Sequence, residues 1–151
     1  MENSIIAYFD GATEPVNPSG AMGMGVIILE NDVVIKEYSY YIPAKKENTN
    51  NSAEYMSFIR ILKWIKETNI SNRKIEIFGD SMLVIKQMNN EWGINGGAYA
   101  KYYFMAKDLL FECKKYNDVV IKWIPRDQNQ LADDLSKREL IKNVIKITKR
   151  K

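Results

Sequence analysis

The first part of the chain carries short apolar stretches of the kind that form strands. In SIIAYFDG, residues of alternating character predict a strand that ends near Asp10. AMGMGVIILEND and VVIKEYSYYIP predict two more strands, which are joined around Asn31 and Asp32 in a hairpin. Residues 12–19 contain Thr, Pro, Asn and Ser, and we expect them to form a loop between the first two strands.

The remainder of the chain alternates between helical spacing and short strand patterns. Helices are predicted over SAEYMSFIRILKWIKETN, SMLVIKQMN, AYAKYYFMAKDLLFECKKY and NQLADDLSKRELIK, and strands over RKIEIFGD and DVVIKWIPR. The resulting order β-β-β-α-β-α-α-β-α joins a meander to βαβ units. It therefore predicts an α/β fold with a single mixed sheet flanked by helices.

The length of 151 residues fits one domain with a sizeable core. We assign residues 1–142 to this domain and residues 143–151 to a basic C-terminal tail. The lysines and arginines of the tail either contact phosphates non-specifically or only keep the chain soluble.

Composition excludes several kinds of catalytic site. The chain has no histidine and one cysteine, which excludes His-based triads, His-ligated zinc sites and Cys-rich zinc modules. The net charge of +3 permits binding to a polyanion without requiring it. The sequence shows neither a signal peptide nor a run long enough to span a bilayer, and the lone Cys113 fits a reducing compartment, so we expect a cytoplasmic protein.

Three carboxylates lie at the edges of different predicted elements, and each has a structural explanation. Asp10 could open a turn with the glycine that follows it. Glu54 could form a capping box with Asn51 as the N-cap of the first helix. Asp80 could cap the short helix that follows it, although it also lies at the carboxyl end of a strand, where ligand sites of α/β sheets gather.

A fourth acidic position opens the last helix, where Asp133 and Asp134 suit the helix dipole. The joint placement of the acids points beyond these local roles, because the edges of separate elements can meet on one side of a single sheet. Four carboxylates held together would raise one another's pKa values. Such a cluster is stable when divalent cations with a preference for oxygen ligands occupy it, as Mg²⁺ and Mn²⁺ do.

Four segments, in this order and spacing, resemble type 1 ribonuclease H: YFDG with GVII, TNNSAEY, IFGDS and NQLADDLSK. The resemblance covers nearly the whole chain and implies a ribonuclease H-like fold with a five-stranded mixed sheet. It implies a catalytic and metal-binding set of Asp10, Glu54, Asp80 and Asp133. Asp133 is preferred over Asp134 because the family pattern N-x-x-A-D aligns with Asn129, Ala132 and Asp133.

The activity implied by the resemblance is metal-dependent cleavage of the RNA strand of RNA/DNA hybrids, leaving 5′-phosphate and 3′-hydroxyl ends. In such a scheme two Mg²⁺ ions, which Mn²⁺ can replace, lie about 3.5–4 Å apart around the scissile phosphate. Asp10 and Asp80 would bind centrally, with Asp133 on the water side and Glu54 on the leaving-group side. The expected partner is an RNA/DNA hybrid rather than a membrane, and the chain is expected to act as a monomer.

The resemblance also assigns residues to the substrate. Asn50 and Asn51, together with the backbone near Gly11, would sense the RNA 2′-hydroxyl. Thr49 would hold a phosphate of the DNA strand. Trp92 could stack on a nucleotide sugar or base, or it could pack at a helix end.

The loop before the last helix, IPRDQNQ, lacks the histidine that many bacterial members of the family carry there. Arg126 is its only basic residue, and we place Arg126 and Asn129 among the substrate contacts. This form of the loop resembles a histidine-less subgroup found in plants, archaea and some bacteria. Two alternatives stay open: a ribonuclease H-like DNA nuclease or resolvase, and a non-catalytic nucleic-acid-binding module of the same fold.

Overall fold

The computed structural model describes residues 4–149, and it describes side chains for residues 4–143. The strands are β1 (Ser4–Glu14), β2 (Ala21–Glu30), β3 (Val33–Ile42), β4 (Lys74–Gly79) and β5 (Asp118–Trp123). The α-helices are α1 (Asn50–Glu67), α2 (Met82–Met88), α3 (Ala100–Lys114) and α4 (Gln130–Lys149), and a short 3₁₀ helix covers Arg126–Gln128. The order of strands and α-helices is the one predicted from the sequence.

The five strands form one mixed sheet in the order β3-β2-β1-β4-β5. β1, β2 and β3 pair antiparallel as a meander, whereas β4 and β5 run parallel to β1. The prediction of an α/β fold with a single five-stranded mixed sheet flanked by helices is confirmed.

The main core lies between the sheet and the helices α1, α2 and α3. Every second residue of β1 faces this core, namely Ile5, Ala7 and Phe9, and these side chains pack with apolar residues of the three helices. The opposite face of the sheet is covered by α4, which contacts β1, β2 and β3. Asp10, the residue after Phe9, therefore points toward the α4 side.

β1 is longer than predicted. It continues beyond Asp10 to Glu14, because residues 11–14 pair with residues 21–24 of β2. This pairing with a neighbouring strand overrides the weak strand propensity of the segment, so the loop is shorter than the expected residues 12–19. Asp10 thus lies inside a strand and does not open a turn.

The N-caps of two helices also differ from the expected ones. Thr49, and not Asn51, caps α1, since its hydroxyl accepts a hydrogen bond from the Ser52 amide at 3.0 Å. At α2 the cap is Ser81, whose hydroxyl accepts from the Val84 amide at 3.3 Å. Glu54 and Asp80 are therefore free of the capping roles that offered a structural explanation for them.

The last helix runs past residue 142, where the predicted helix ends. The backbone of α4 is helical to Lys149, so residues 143–149 of the predicted tail continue the helix. The side chains of Lys146 and Lys149, and all of Arg150 and Lys151, lie outside the described part of the chain. In the described residues no helix has the length and apolar character needed to cross a membrane.

Candidate active site

The position of Asp10 follows from the unequal lengths of β1 and β4. The pairing of β4 with β1 ends at Gly79, opposite Phe9. From Asp10 onward β1 therefore lacks β4 as a neighbour, and this part of the strand borders an open cleft. Asp10 is 6% exposed, and its backbone carbonyl accepts a hydrogen bond from the buried Ser57 hydroxyl at 2.6 Å.

Helix α1 reaches Asp10 because the next residue of β1 is a glycine. A Cβ on Gly11 would lie 2.3 Å from the carbonyl carbon of Ala53 and 2.5 Å from the amide nitrogen of Glu54. Only a residue without a side chain permits this approach of the helix backbone to the strand. The approach brings the Glu54 carboxylate to the end of the sheet beside Asp10.

Helix α4 reaches the opposite face in the same way. Gly25 is the β2 residue directly opposite Asp10, and a Cβ there would lie 2.4 Å from the Ala132 carbonyl oxygen. Residues directly opposite each other in an antiparallel pair share a face of the sheet, so α4 packs on the face from which the Asp10 side chain projects. Asp133, the residue after Ala132, is thereby placed at the cleft.

Asp80 follows the end of β4 and is held by two side chains. The Asn129 amide group donates to the Phe9 carbonyl at 2.9 Å and to Asp80 Oδ2 at 3.4 Å, which ties the start of α4 to both strands. The Trp123 indole N–H at the end of β5 donates to the Asp80 backbone carbonyl at 3.2 Å. These contacts fix the strand-to-helix junction and leave the Asp80 carboxylate directed into the cleft.

β1, α1 and the junction after β4 bring three carboxylates close together. One oxygen atom from each of Asp10, Glu54 and Asp80 lies within 4.8 Å of the other two. Asp133 lines the same cleft, which has a volume of about 260 Å³. Arg126 and Lys137 stand on the Asp133 side, with nitrogen atoms 4.0 Å and 3.3 Å from Asp133 Oδ1.

The grouping shifts the protonation of its members. Burial, followed by the charge of Asp80 and a hydrogen bond with Asp133, raises the pKa of Asp10 to about 8. Burial, followed by the charges of Asp10 and Asp80, raises the pKa of Glu54 well above its ordinary value. Burial also raises the pKa of Asp80, although the Asn129 amide and the Arg126 charge oppose this shift.

These observations fit a site for divalent cations. Buried Glu54 Oε1 lacks a hydrogen-bond partner among the described residues, which is costly for a buried polar atom. The atoms available as ligands are carboxylate oxygens, which Mg²⁺ and Mn²⁺ prefer. A bound cation would supply the missing partner and offset the repulsion between the three acids.

Two of the residues expected to sense the RNA strand lie beside the acids. The Asn50 side-chain carbonyl accepts from the Thr13 amide at 2.8 Å, so its position is fixed against the open edge of β1. Asn50 lines the cleft, and Asn51 is exposed next to it. Thr49 has its hydroxyl engaged as the N-cap and is partly buried.

The other expected substrate contacts differ in their accessibility. Asn129 is 1% exposed, and its side-chain N–H group contacts the Phe9 carbonyl and the Asp80 carboxylate. Arg126 is exposed at the edge of the cleft. Trp92 is exposed in the segment after α2 and is absent from the cleft lining.

Sequence reasoning missed several residues of the site. The Lys137 charge lies beside Asp133, and the spacing of four residues between them on a helix could have indicated this pair. The Trp123 indole contacts the Asp80 backbone, and no local pattern indicates this contact. Asp134 faces outward, where its carboxylate accepts from the Gln130 side chain at 2.9 Å.

A larger cavity of about 420 Å³ lies away from the acids. It is bordered by β3, α1 and α3, and its lining is dominated by methionine, tyrosine and isoleucine side chains. None of the residues that line it is acidic. The smaller acidic cleft therefore carries the groups suited to chemistry.

Comparisons with known proteins agree with this geometry. Residues 8–139 match the family described as Reverse transcriptase-like. The chain is 33% identical over 150 residues to Ribonuclease H of Francisella philomiragia, covering 92% of each. It is 32% identical over 134 residues to Ribonuclease HI of Halobacterium salinarum, covering 89% of this chain. The chain spans 59% and 63% of the lengths of two curated relatives that it matches.

A solved structure extends the likeness to three dimensions. LC11-RNase H1, isolated from compost by a metagenomic approach, was solved in complex with an RNA/DNA hybrid. That complex matches with a TM-score of 0.77 and 28% identity, covering 89% of this chain and 94% of the other. The resemblance found in the sequence is thus confirmed at the level of the family. The chain belongs to the Reverse transcriptase-like family and carries a ribonuclease H-like domain.

Proposed function

We propose that this chain is a metal-dependent endoribonuclease that hydrolyses the RNA strand of RNA/DNA hybrids. The observation that carries the proposal is the meeting of carboxylate oxygens from Asp10, Glu54 and Asp80 within 4.8 Å, in a cleft that also contains Asp133. The relative solved with a bound RNA/DNA hybrid supports this choice of substrate. Products with 5′-phosphate and 3′-hydroxyl ends follow from attack by water on the phosphorus with departure of the 3′ oxygen.

Four acids of the chain would hold two Mg²⁺ ions, or two Mn²⁺ ions. Bound cations of this kind lower the pKa of an attacking water and stabilise the oxygen that leaves. Asp10, Glu54 and Asp80 supply oxygen ligands from one side, and Asp133 supplies them from the α4 side. Asp10, Glu54 and Asp133 lie within a strand or a helix, and Asp80 directly follows β4, so their positions are set before the substrate arrives.

The hydrolysis needs no histidine. The sequence contains none, and the loop before α4 offers Arg126 instead. Arg126 is exposed at the cleft edge, where its guanidinium can bind a phosphate oxygen of the substrate. We therefore place the chain in the histidine-less subgroup of type 1 enzymes.

Selection of the RNA strand is assigned to the start of α1. Asn50 is held by the Thr13 amide through its carbonyl oxygen, which leaves its side-chain N–H groups available to a ligand. Asn51 is exposed beside it. Together the two amides can donate to and accept from a 2′-hydroxyl, the group that distinguishes RNA from DNA.

The test compares one sequence prepared as an RNA/DNA hybrid, an RNA duplex and a DNA duplex, each with Mg²⁺ and with EDTA. We expect cleavage of the hybrid alone, in the RNA strand and only with Mg²⁺. End analysis should find 5′-phosphates that a phosphatase removes and 3′-hydroxyls that a polymerase extends. Cleavage of the DNA duplex would favour a resolvase-type nuclease, and binding without cleavage would favour a non-catalytic module.

A further inference from the structure

The acidic cleft is lined in part by a positively charged side chain, that of Lys137. The Lys137 ammonium lies 3.3 Å from Oδ1 and 3.5 Å from Oδ2 of Asp133, one helical turn away on α4. The Asp133 side chain is 13% exposed and that of Lys137 is 31% exposed. An ion pair shielded to this degree is stronger than one on the open surface.

This pair divides the cleft into two electrostatically different sides. Asp10, Glu54 and Asp80 form the group whose oxygens lie within 4.8 Å of one another. Asp133 is shared between that group and Lys137. One side therefore carries the three clustered acids, and the other carries an acid in a close ion pair with Lys137.

We propose that Lys137 is an internal counter-ion of Asp133, which stabilises the metal-free cleft and competes with divalent cations for this carboxylate. The proposal rests on the proposed function of the acids as a metal site. A cation approaching the Asp133 side must share the carboxylate with the ammonium and is repelled by it. Lys137 thereby weakens cation binding at that side.

Arg126 provides an internal comparison. Its guanidinium lies 4.0 Å from Asp133 Oδ1, and its side chain is 75% exposed. Solvent screens such an exposed charge more strongly than the partly buried Lys137. Loss of the Arg126 charge should therefore change cation binding less than loss of the Lys137 charge.

The test measures Mn²⁺ binding to the full chain by isothermal titration calorimetry, without nucleic acid. Lys137→Met removes the charge and keeps most of the side-chain volume, and Lys137→Gln provides a second neutral variant. We expect each to bind Mn²⁺ about three- to tenfold more tightly than the unmodified chain, because a nearby positive charge is removed. In EDTA each should melt at a lower temperature than the unmodified chain, since the acids lose their counter-ion.

Three further variants make the result specific. Lys137→Arg keeps the charge and should bind Mn²⁺ as the unmodified chain does. Arg126→Gln should tighten binding less than Lys137→Met does. Lys74→Met makes the same charge change at the exposed start of β4, at the other end of that strand from Asp80, and should leave binding unchanged.

The outcomes separate this inference from the proposed function. If the unmodified chain binds Mn²⁺ and the neutral variants bind it equally well or more weakly, Lys137 is not a competing counter-ion. If the unmodified chain binds no Mn²⁺, the metal site itself fails, and the proposed function fails with it. A merely structural role of Lys137 would lower the melting temperature without tightening Mn²⁺ binding, which would also overturn the inference.

Discussion

Asp10 is held in place by its strand and is buried beside other acids. It lies inside β1, its carbonyl is held by Ser57, and its carboxylate is buried among other acids. A carboxylate in this setting lowers the stability of the fold unless it is protonated or bound to a cation. A position that costs stability and offers oxygen ligands is typical of a functional residue.

We expect Asp10→Asn to reduce hybrid cleavage by several orders of magnitude while the metal-free protein keeps or gains stability. The amide has nearly the shape of the carboxylate but removes one negative charge from the cluster. Cleavage rates with Mg²⁺ and thermal unfolding in EDTA would measure the two effects. Asp134→Asn is the matched control, because Asp134 faces outward and should tolerate the change. Retained activity together with lower metal-free stability would contradict the role assigned to Asp10.

Asn129 illustrates a residue whose role depends on burial. It is predicted to contact substrate, and its amide group also joins the Phe9 carbonyl to the Asp80 carboxylate inside the protein. Asn129→Ala should lower the free energy of unfolding by about 1–3 kcal/mol, since a buried carbonyl loses its donor.

Steady-state kinetics would distinguish the two roles of Asn129. A positioning role predicts that Asn129→Ala lowers kcat, because Asp80 is less well held, with little change in KM. A rise in KM at constant kcat would instead indicate direct contact with the substrate. Urea unfolding provides the stability measurement.

At the scale of elements, the site depends on how closely two helices approach one strand. Gly11 allows α1 to contact β1, and Gly25 allows α4 to contact β2 opposite Asp10. The helices therefore approach the sheet from both faces at the same point. These close helix–strand contacts, rather than the local sequence, place Glu54 and Asp133 at the cleft.

Gly11→Ala tests this view. Its Cβ would lie 2.3 Å from backbone atoms of α1, so the helix must move away from β1. We expect unfolding to become easier by about 1–3 kcal/mol and Mn²⁺ affinity to fall, because Glu54 moves with the helix. Gly93→Ala is the control, since a Cβ at Gly93 meets nothing within 4 Å. Normal Mn²⁺ affinity in Gly11→Ala would show that the site does not need this close approach.

At the scale of the whole molecule, the absence of histidine simplifies the response to pH. Burial raises the pKa of the Cys113 thiol to about 11, so this group stays protonated near neutrality. Between pH 5 and 8 the proton balance of unfolding should therefore reflect mainly the acidic cluster and the terminal amine. A change in the free energy of unfolding with pH in this range therefore reflects protonation of the candidate site.

We expect the metal-free protein to lose stability as pH rises from about 5 to about 8. The pKa of Asp10 is about 8 in the folded chain against an ordinary value of 3.8, so the folded state binds this proton more tightly. The resulting stability is complete below the ordinary value and is lost as pH rises through the folded value, by about 1–3 kcal/mol. Thermal unfolding in EDTA at several pH values would measure the loss.

Two comparisons make the pH experiment specific. Asp10→Asn should make the profile flatter, because one titrating member of the acidic cluster is gone. Saturating Mg²⁺ should reverse the trend, because cation binding requires deprotonated carboxylates. A metal-free profile that stays flat between pH 5 and 8 would argue against a protonated acid cluster.

The basic C-terminal segment can act on phosphates through its charge, which is independent of nucleotide sequence. We expect replacement of Lys146, Lys149, Arg150 and Lys151 by glutamine to reduce the salt dependence of hybrid binding, because fewer counterions are released. Binding in Ca²⁺ at several salt concentrations would measure the slope. An unchanged slope would indicate that this segment only keeps the chain soluble.

The sequence by itself determined the order of the elements, because apolar periodicity is a local property that burial against one sheet preserves. It also singled out Asp10, Glu54, Asp80 and Asp133 through short motifs in a fixed order. It assigned the wrong N-caps to α1 and α2, since the competing candidates Asn51 and Asp80 lie within two residues of the true caps in the chain.

Only the tertiary structure decided the length of β1, the burial of Asn129 and the position of Lys137 beside Asp133. Each depends on partners distant in sequence: β2 for the strand, Phe9 and Asp80 for the amide, and the cleft for the ion pair. Local patterns carry no information on such contacts, because the energy that fixes them comes from packing between elements. For that reason the sequence identified the acids, whereas the fold determined which other residues contact them.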